Sequence, residues 1–191
     1  PDPAVVAHAE ERLVLDTQVD ASTPDESVLV PGRIIGLDVS AGGPELTSVF
    51  VAGDKGRVLT AADDGQPVAL LDQHFADYYD IEAGATILTA GGISVETIGL
   101  GLAPEYFFVT TDDGGFFAEA NFAALFTSLS TAQDLAGRPG RVNDLVLDLV
   151  DGTVAETVAA QLQSAFDDAD SGLGVTVMTR EDEDAYRILY D

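Results

Sequence analysis

GQPVALLDQHFADYYDIEAGATILTAGGISVETIGLG, residues 65–101 of a 191-residue chain, is the stretch that decides how the whole is read. Val68, Ala69, Leu70 and Leu71 form a short apolar run suited to a buried strand, and Asp72 stands where it can cap a following helix. The turn Glu82-Ala83-Gly84 then releases the chain into a strand over 85–89, and Gly91-Gly92 returns it along 93–99. The order is strand, short helix, tight strand pair. No catalytic motif falls inside it.

Upstream, Asp2-Pro3 reads as a helix start and predicts a helix through residue 11. The period then changes: Leu13, Leu15, Thr17 and Val19 alternate with Val14, Asp16 and Gln18, a strand with one buried face. Residues 21–26 form a polar loop containing Pro24. Residues 28–40 predict one or two strands, with Pro31-Gly32 as a kink and Ile34, Ile35 and Leu37 as core. A short strand over 49–51 precedes the turns at 53–56 and 63–65.

Downstream, 105–111 is an aromatic-rich strand followed by the turn 112–115, and 122–129 is another strand. Ser130 to Gln133 reads as a capping box for a helix that Gly137 and Pro139 stop. In the last third, Leu145, Leu147 and Leu149 share one face of a strand over 143–150, and Thr153 to Glu156 is a second capping box. Val154, Val158, Leu162 and Phe166 recur at every fourth position, a helical stripe that suits packing on a sheet. An acidic loop over 167–174, a strand over 175–179 and a helix over 181–190 with four leading acids close the chain as an α/β unit. There is no sequence repeat. Gly and Pro are spread over the turns, so a second domain is expected to be inserted, not appended.

Composition removes several function classes. With 34 acidic residues, 8 basic ones and Lys55 as the single lysine, the chain lacks the basic stripe that nucleic-acid binding requires. Docking flat on anionic lipid is disfavoured for the same reason. Such an excess of acid suits solubility in a high-salt or acid-biased proteome. The absence of Cys excludes disulfides and thiolate metal sites, and 46% hydrophobic content is ample for a core. No window reaches the 18 or so apolar residues of a membrane span, and no signal-peptide pattern opens the chain. A start at Pro1 without Met is what a domain excised from between two membrane helices would show.

Few residues stand in patterns that chemistry requires. His8 and His74 have no second ligand at i+3 or i+4, so no zinc pattern exists, and His74 reads as a helix boundary residue. Gly92-Ile-Ser94-Val-Glu96 lacks the second glycine of a nucleophile elbow, and Gly99-Leu-Gly101-Leu-Ala-Pro104 ends in a proline where a phosphate-binding helix should start. Residues 167–172 resemble a calcium loop, yet placing Gly172 sixth puts Ala169, Ser171 and Met178 at ligand positions, and the EF-hand reading fails. No cofactor or metal site is expected. Tyr78, Tyr79, Tyr106, Phe107, Phe108, Phe116 and Phe117 gather in the middle third as core, and Tyr106, Phe107, Phe108, Phe116 and Phe117 are dense enough to form a partner contact.

The ordered motifs resemble those of one family. Residues 65–101, Gly56-Arg-Val-Leu-Thr-Ala-Ala-Asp-Asp64, Pro104-Glu-Tyr-Phe107, the run 124–135 and Asn143-Asp-Leu-Val-Leu-Asp-Leu149 are together similar to the extracytoplasmic domain of FtsX-like and MacB-like ABC transporter permeases. That resemblance implies an α+β fold in two lobes: a discontinuous βαβ-type outer lobe of residues 1–52 with 122–191, and an inserted small β-rich lobe of 53–121. It implies that the terminal helices run toward the bilayer as stalks. It also implies a non-catalytic domain on the extracytoplasmic side of the cell membrane. Its partners would be the membrane-spanning remainder of the permease, a cytoplasmic ATPase subunit, a second permease copy or homologue, and an extracytoplasmic protein or lipophilic substrate. The other reading is a stand-alone secreted or surface domain that binds a ligand through the aromatic segment.

Overall fold

The computed structural model describes residues 2–23, 25–40, 43–106, 121–169 and 172–182. It is a mixed α+β structure with eight strands in one sheet and three α-helices among these residues. The chain divides into two compact units, one of residues 10–146 and one of residues 1–9 with 147–191.

The larger unit is built on a ring of six strands. Strand β1 (Val6–Asp20) enters it and turns back as β2 (Leu29–Leu37), an antiparallel pair running from Leu13↔Gly36 to Asp20↔Leu29. Beyond β3 (Phe50–Gly56), β4 (Val68–Asp72) leads straight into helix α1 (Gln73–Tyr78). The antiparallel pair β5 (Thr86–Thr89) and β6 (Ile93–Leu102) follows, then β7 (Ala123–Ser128) and helix α2 (Leu129–Leu135). Around the ring the order is β1, β2, β7, β4, β6, β5. Val19 and Asp20 then pair with Thr89 and Leu88 of β5 and close it. Strand β3 pairs with β6 outside the ring, and β8 (Asp144–Leu149) lies beside β1.

Alternation along each strand decides what lies inside. Leu13, Val19, Val30, Ile34, Ala69, Leu71, Ile87, Val95 and Leu125 meet in one core cluster with Phe75 and Ala76 of α1 and Ala132 of α2. The opposite faces of β2, β4 and β7 are buried too: Ile35, Leu37, Leu70, Ala124 and Phe126 form a second cluster with Ala103 and Tyr106. Strands buried on both faces read as unbroken apolar runs, which is why VALL and AALF carry no polar interruption. Gly36 is glycine for a packing reason, since a Cβ there would overlap the Cβ of Ala132 where α2 crosses β2.

Both ring helices start on the last residue of a strand. Asp72 accepts from the Phe75 N–H at 3.0 Å, and Ser128 accepts from the Thr131 N–H at 3.1 Å. The cap of α2 is therefore Ser128 and not the expected Ser130, because β7 runs up to Ser128 and the helix begins at once. The topology repeats although the sequence does not. In one half β4 is parallel to β6, which hairpins with β5, and in the other β7 is parallel to β2, which hairpins with β1.

Several local expectations are corrected. The N-terminal helix is a single turn, in which the Asp2 carboxylate accepts from Ala4 and its carbonyl from Val5 and Val6, followed directly by β1. Ladder bonding overrides the helix signal: the Arg12 carbonyl accepts from Asn143, and that of Val5 from Val150. Among the described residues, 6–11 belong to β1 and form no helical stalk. The turn expected at 53–56 is the irregular end of β3. Helix α3 (Ala155–Asp168) begins two residues into the supposed capping box, with Val154 at the cap position and no side-chain cap bond. None of its residues is fully buried, so its apolar stripe is only partly covered. The segment 175–179 is not a strand. Instead, the Gln163 side chain donates to the Val175 carbonyl at 3.0 Å and accepts from the Val177 N–H at 2.9 Å.

Residues 104–106 form a 3₁₀ turn, whereas 107–111 of the expected aromatic strand lie outside the described residues. The same holds for 183–190 of the expected last helix, which shows a 3₁₀ turn at Arg180–Asp182. The compact units also differ in extent from the lobes 1–52 with 122–191 and 53–121. Segments 13–20, 29–37 and 123–128 close a ring with strands from 68–102 and so belong with them. Among the described residues no helix is long and apolar enough to cross a membrane.

Candidate functional site

Arg12 is heavily engaged within the larger unit. It sits on β1 with only 7% of its side chain exposed and lies between carboxylates from two distant parts of the chain. Its Nη1 and Nη2 donate to the two oxygens of Glu105 at 2.6 and 3.1 Å, and its Nε and Nη2 approach Asp144 Oδ2 at 2.5 Å. A further bond runs from Nη1 to Thr47 Oγ1 at 3.2 Å. Burial alone would lower the guanidinium pKa; Glu105 and Asp144 outweigh it and hold the group charged well above its ordinary range. Two residues before it, buried Glu10 accepts from the Leu46 and Thr47 amides through Oε2, while its Oε1 has no hydrogen-bond partner among the described residues. Asn143 completes the edge of β1: its side chain donates to the Val14 carbonyl at 2.7 Å and accepts from the Val14 N–H at 2.8 Å, imitating a strand.

Tyr106, one of the expected partner-contact residues, is not at the surface. It is 8% exposed and packs edge-on to Phe126 with ring centroids 5.6 Å apart. Burial, then the Glu105 charge, push its hydroxyl up to about 12. Phe107, Phe108, Phe116 and Phe117 lie outside the described residues. Of the other aromatics, Tyr79 packs on Phe75 at 4.7 Å, whereas Tyr78 is exposed.

A second ionic bracket holds the turn before β4. Arg57 donates twice to Asp63, at 2.7 Å each, and Asp63 also accepts from the Thr60 N–H and hydroxyl at 2.8 Å. The Arg57 bonds foremost, with those from Thr60, hold the Asp63 carboxyl well below the usual range. Lys55 reaches Asp77 of α1 at 2.8 Å. Arg12 and Asp63, the strongly perturbed charged groups among the described residues, are thus consumed by pairing partners that fix a strand and a turn.

The motifs singled out for chemistry do not converge. His74 lies on α1 with Nδ1 4.0 Å from Asp72, and His8 lies on β1 in the other unit. Ser94 is exposed on β6. The Gly99–Gly101 pair is a packing device: a Cβ on Gly99 would come within 2.6 Å of the Arg57 carbonyl, and one on Gly101 within 2.6 Å of Val49. Asp167 accepts from Gln163 on α3, and residues 170 and 171 of the acidic loop are outside the described set. No group of three His, Asp or Glu side chains that could hold a metal forms among the described residues. Arg12, Glu105 and Asp144 escaped the sequence reading because their partners stand 93 and 132 residues away. The available signal was an arginine kept in a strand of a chain with few basic residues.

No protein-family model and no curated protein matches the chain. Solved structures do. The extracellular domain of the noncanonic ABC-type transporter YknZ from Gram-positive bacteria is similar with a TM-score of 0.56 and 13% identity, over 91% of this chain and 82% of that one. The periplasmic region of MacB from Actinobacillus actinomycetemcomitans is similar with a TM-score of 0.52 and 12% identity, over 88% of this chain and 69% of that one. At these identities the likeness establishes the fold, which is that of MacB-like extracytoplasmic domains, as the ordered motifs implied.

Proposed function

We propose that this chain is the extracytoplasmic domain of an ABC transporter permease and performs no reaction of its own. The observation that carries the reading is the shared fold, which spans about nine-tenths of the chain in both comparisons. The local chemistry agrees with it, since the strongly perturbed ionisable groups are spent on bracing turns and strands. Its partners are the membrane-spanning remainder, a separate cytoplasmic ATPase subunit that hydrolyses ATP, and a second permease copy or homologue. Outside the membrane it meets a protein or a lipophilic substrate. ATP binding moves the membrane helices, and the unit that contains both chain ends receives that motion; free energy reaches the outer surface only if that surface packs differently in the two states.

The test is made on the whole gene product. Membrane-spanning segments on both sides of residues 1–191 and an adjacent ATPase gene are expected. In proteoliposomes holding permease and ATPase, deletion of residues 10–146 is expected to preserve basal ATP hydrolysis and abolish its stimulation by cargo or partner. A gene without flanking spans would defeat the proposal and leave the stand-alone surface domain.

A further inference from the structure

The register of the ring places two exposed leucines on either side of one carboxylate. Leu29 of β2 stands directly opposite Asp20 of β1, Asp20 opposite Leu88 of β5, and Leu88 opposite Ser94 of β6. Residues directly opposite in a ladder point to the same face, and here it is the outer one, since Val19, Val30 and Ile87 beside them point into the core. Leu29 is 63% exposed and Leu88 40%. Around the row on this face stand Asp16, Gln18, Pro31, Thr86 and Glu96, whereas the apolar Val14, Ile35 and Leu37 farther along β1 and β2 lie in or against the second core cluster. The nearby Arg33 is committed to Asp16 at 3.3 Å. Asp20 accepts from the Ser22 amide at 2.9 Å and forms no ion pair among the described residues. The row therefore reads apolar, anionic, apolar.

We propose that the row Leu29, Asp20, Leu88 is a docking strip for a basic amphipathic helix of a partner protein. Charge selects the occupant: a chain with 34 acidic and 8 basic residues attracts a cationic surface and repels a second copy of itself. Spacing selects its form. Two strand separations set the leucines about 9.6 Å apart, with Asp20 midway. A helix matches this with apolar residues at i and i+7, about 10.5 Å apart along its axis, and Lys or Arg at i+3 or i+4 between them. An extended segment gives about 6.6 Å or about 13 Å for side chains on one face and fits less well. The strip does not depend on the transporter reading, since a stand-alone domain would present the same row.

The experiment uses the isotopically labelled 191-residue chain and, as probe, an alanine-based helical peptide of about sixteen residues, long enough to hold some helix in water. It carries two leucines seven positions apart and an arginine four after the first. Amide resonances around Asp20, Leu29 and Leu88 are expected to shift on titration in moderate salt. Leu29→Ser, Leu88→Ser and Asp20→Asn are each expected to weaken binding about fivefold or more with unchanged melting of the protein, as is replacing the peptide's leucines by alanine. Shifts spread over the acidic surface, or equal affinity for wild type and the leucine variants, would overturn the proposal. So would concentration-dependent dimerisation that Leu29→Ser abolishes, because the occupant would then be a second copy.

Discussion

Replacing Arg12 by methionine keeps most of the buried stem and removes the charge that Glu105 and Asp144 share. Breaking a fully buried ion pair from one side costs about 3–5 kcal/mol, because the surviving charge is left without a partner in a poorly solvated place. Here the two carboxylates are 27% and 36% exposed, so they regain part of their hydration and the expected loss falls to about 2–3 kcal/mol. Lys55→Met supplies the comparison. Its pair with Asp77, at 2.8 Å, is slightly longer and both members are substantially exposed, so the expected loss is well below that of Arg12→Met. A triple variant, Arg12→Met with Glu105→Gln and Asp144→Asn, removes the orphaned charges and is expected to recover part of the loss. Urea unfolding followed by circular dichroism in 1 M NaCl measures all three, the salt being present so that the added net charge of Arg12→Met is screened. If Arg12→Met lost no more stability than Lys55→Met, or the triple variant fell further than Arg12→Met alone, the cluster would not be the brace described above.

Two other predictions concern charge more broadly. Residues 10–146 hold 22 acidic and 6 basic side chains, and spread over a sphere of about 18 Å radius this charge costs about 10 kcal/mol at 0.1 M ionic strength and about 4 at 1 M. Allowing for the weaker repulsion in the unfolded chain, raising NaCl from 0.1 to 1 M is expected to stabilise this unit by about 5 kcal/mol, read by hydrogen exchange at β2, β4 and β7 amides; a gain below about 1 kcal/mol would contradict it. Asp63→Asn weakens the Arg57 and Thr60 bonds and is expected to cost about 1–2 kcal/mol at neutral pH, discounted because Arg57 is half exposed. Asp63 is held below its unfolded value, so its contribution is complete above about pH 4 and is lost as pH falls further. The difference between wild type and variant should therefore shrink toward lower pH, and a difference that grows instead would reverse the assignment.

What could be read without coordinates follows the range of the forces involved. The run 68–102 was legible because its signals are local: an apolar strand, an aspartate cap and a glycine turn, realised as β4, the Asp72 cap of α1 and the β5–β6 hairpin. Residues 2–11 carried an equally local helix signal, and it failed, because backbone groups bonded to residues 143 and 150 outbid it. The brace at Arg12 was invisible for the same reason, its carboxylates being brought in only when the chain from 13 to 146 has folded. The ring shows how the two ranges combine. Each half is a strand that ends in a helix cap, Asp72 or Ser128, and lies parallel to one member of a hairpin. In the first half the hairpin follows the helix in sequence, whereas in the second it is β1–β2, which ends at Leu37, far ahead of β7 at Ala123. A repeat permuted in this way leaves no period in the sequence. It also brings β1 against β5, through Val19 and Asp20, and so creates the row of Leu29, Asp20 and Leu88. The docking strip is thus a product of ring closure, and a variant that opens the ring at Val19 should lose it while keeping both strand-to-helix caps.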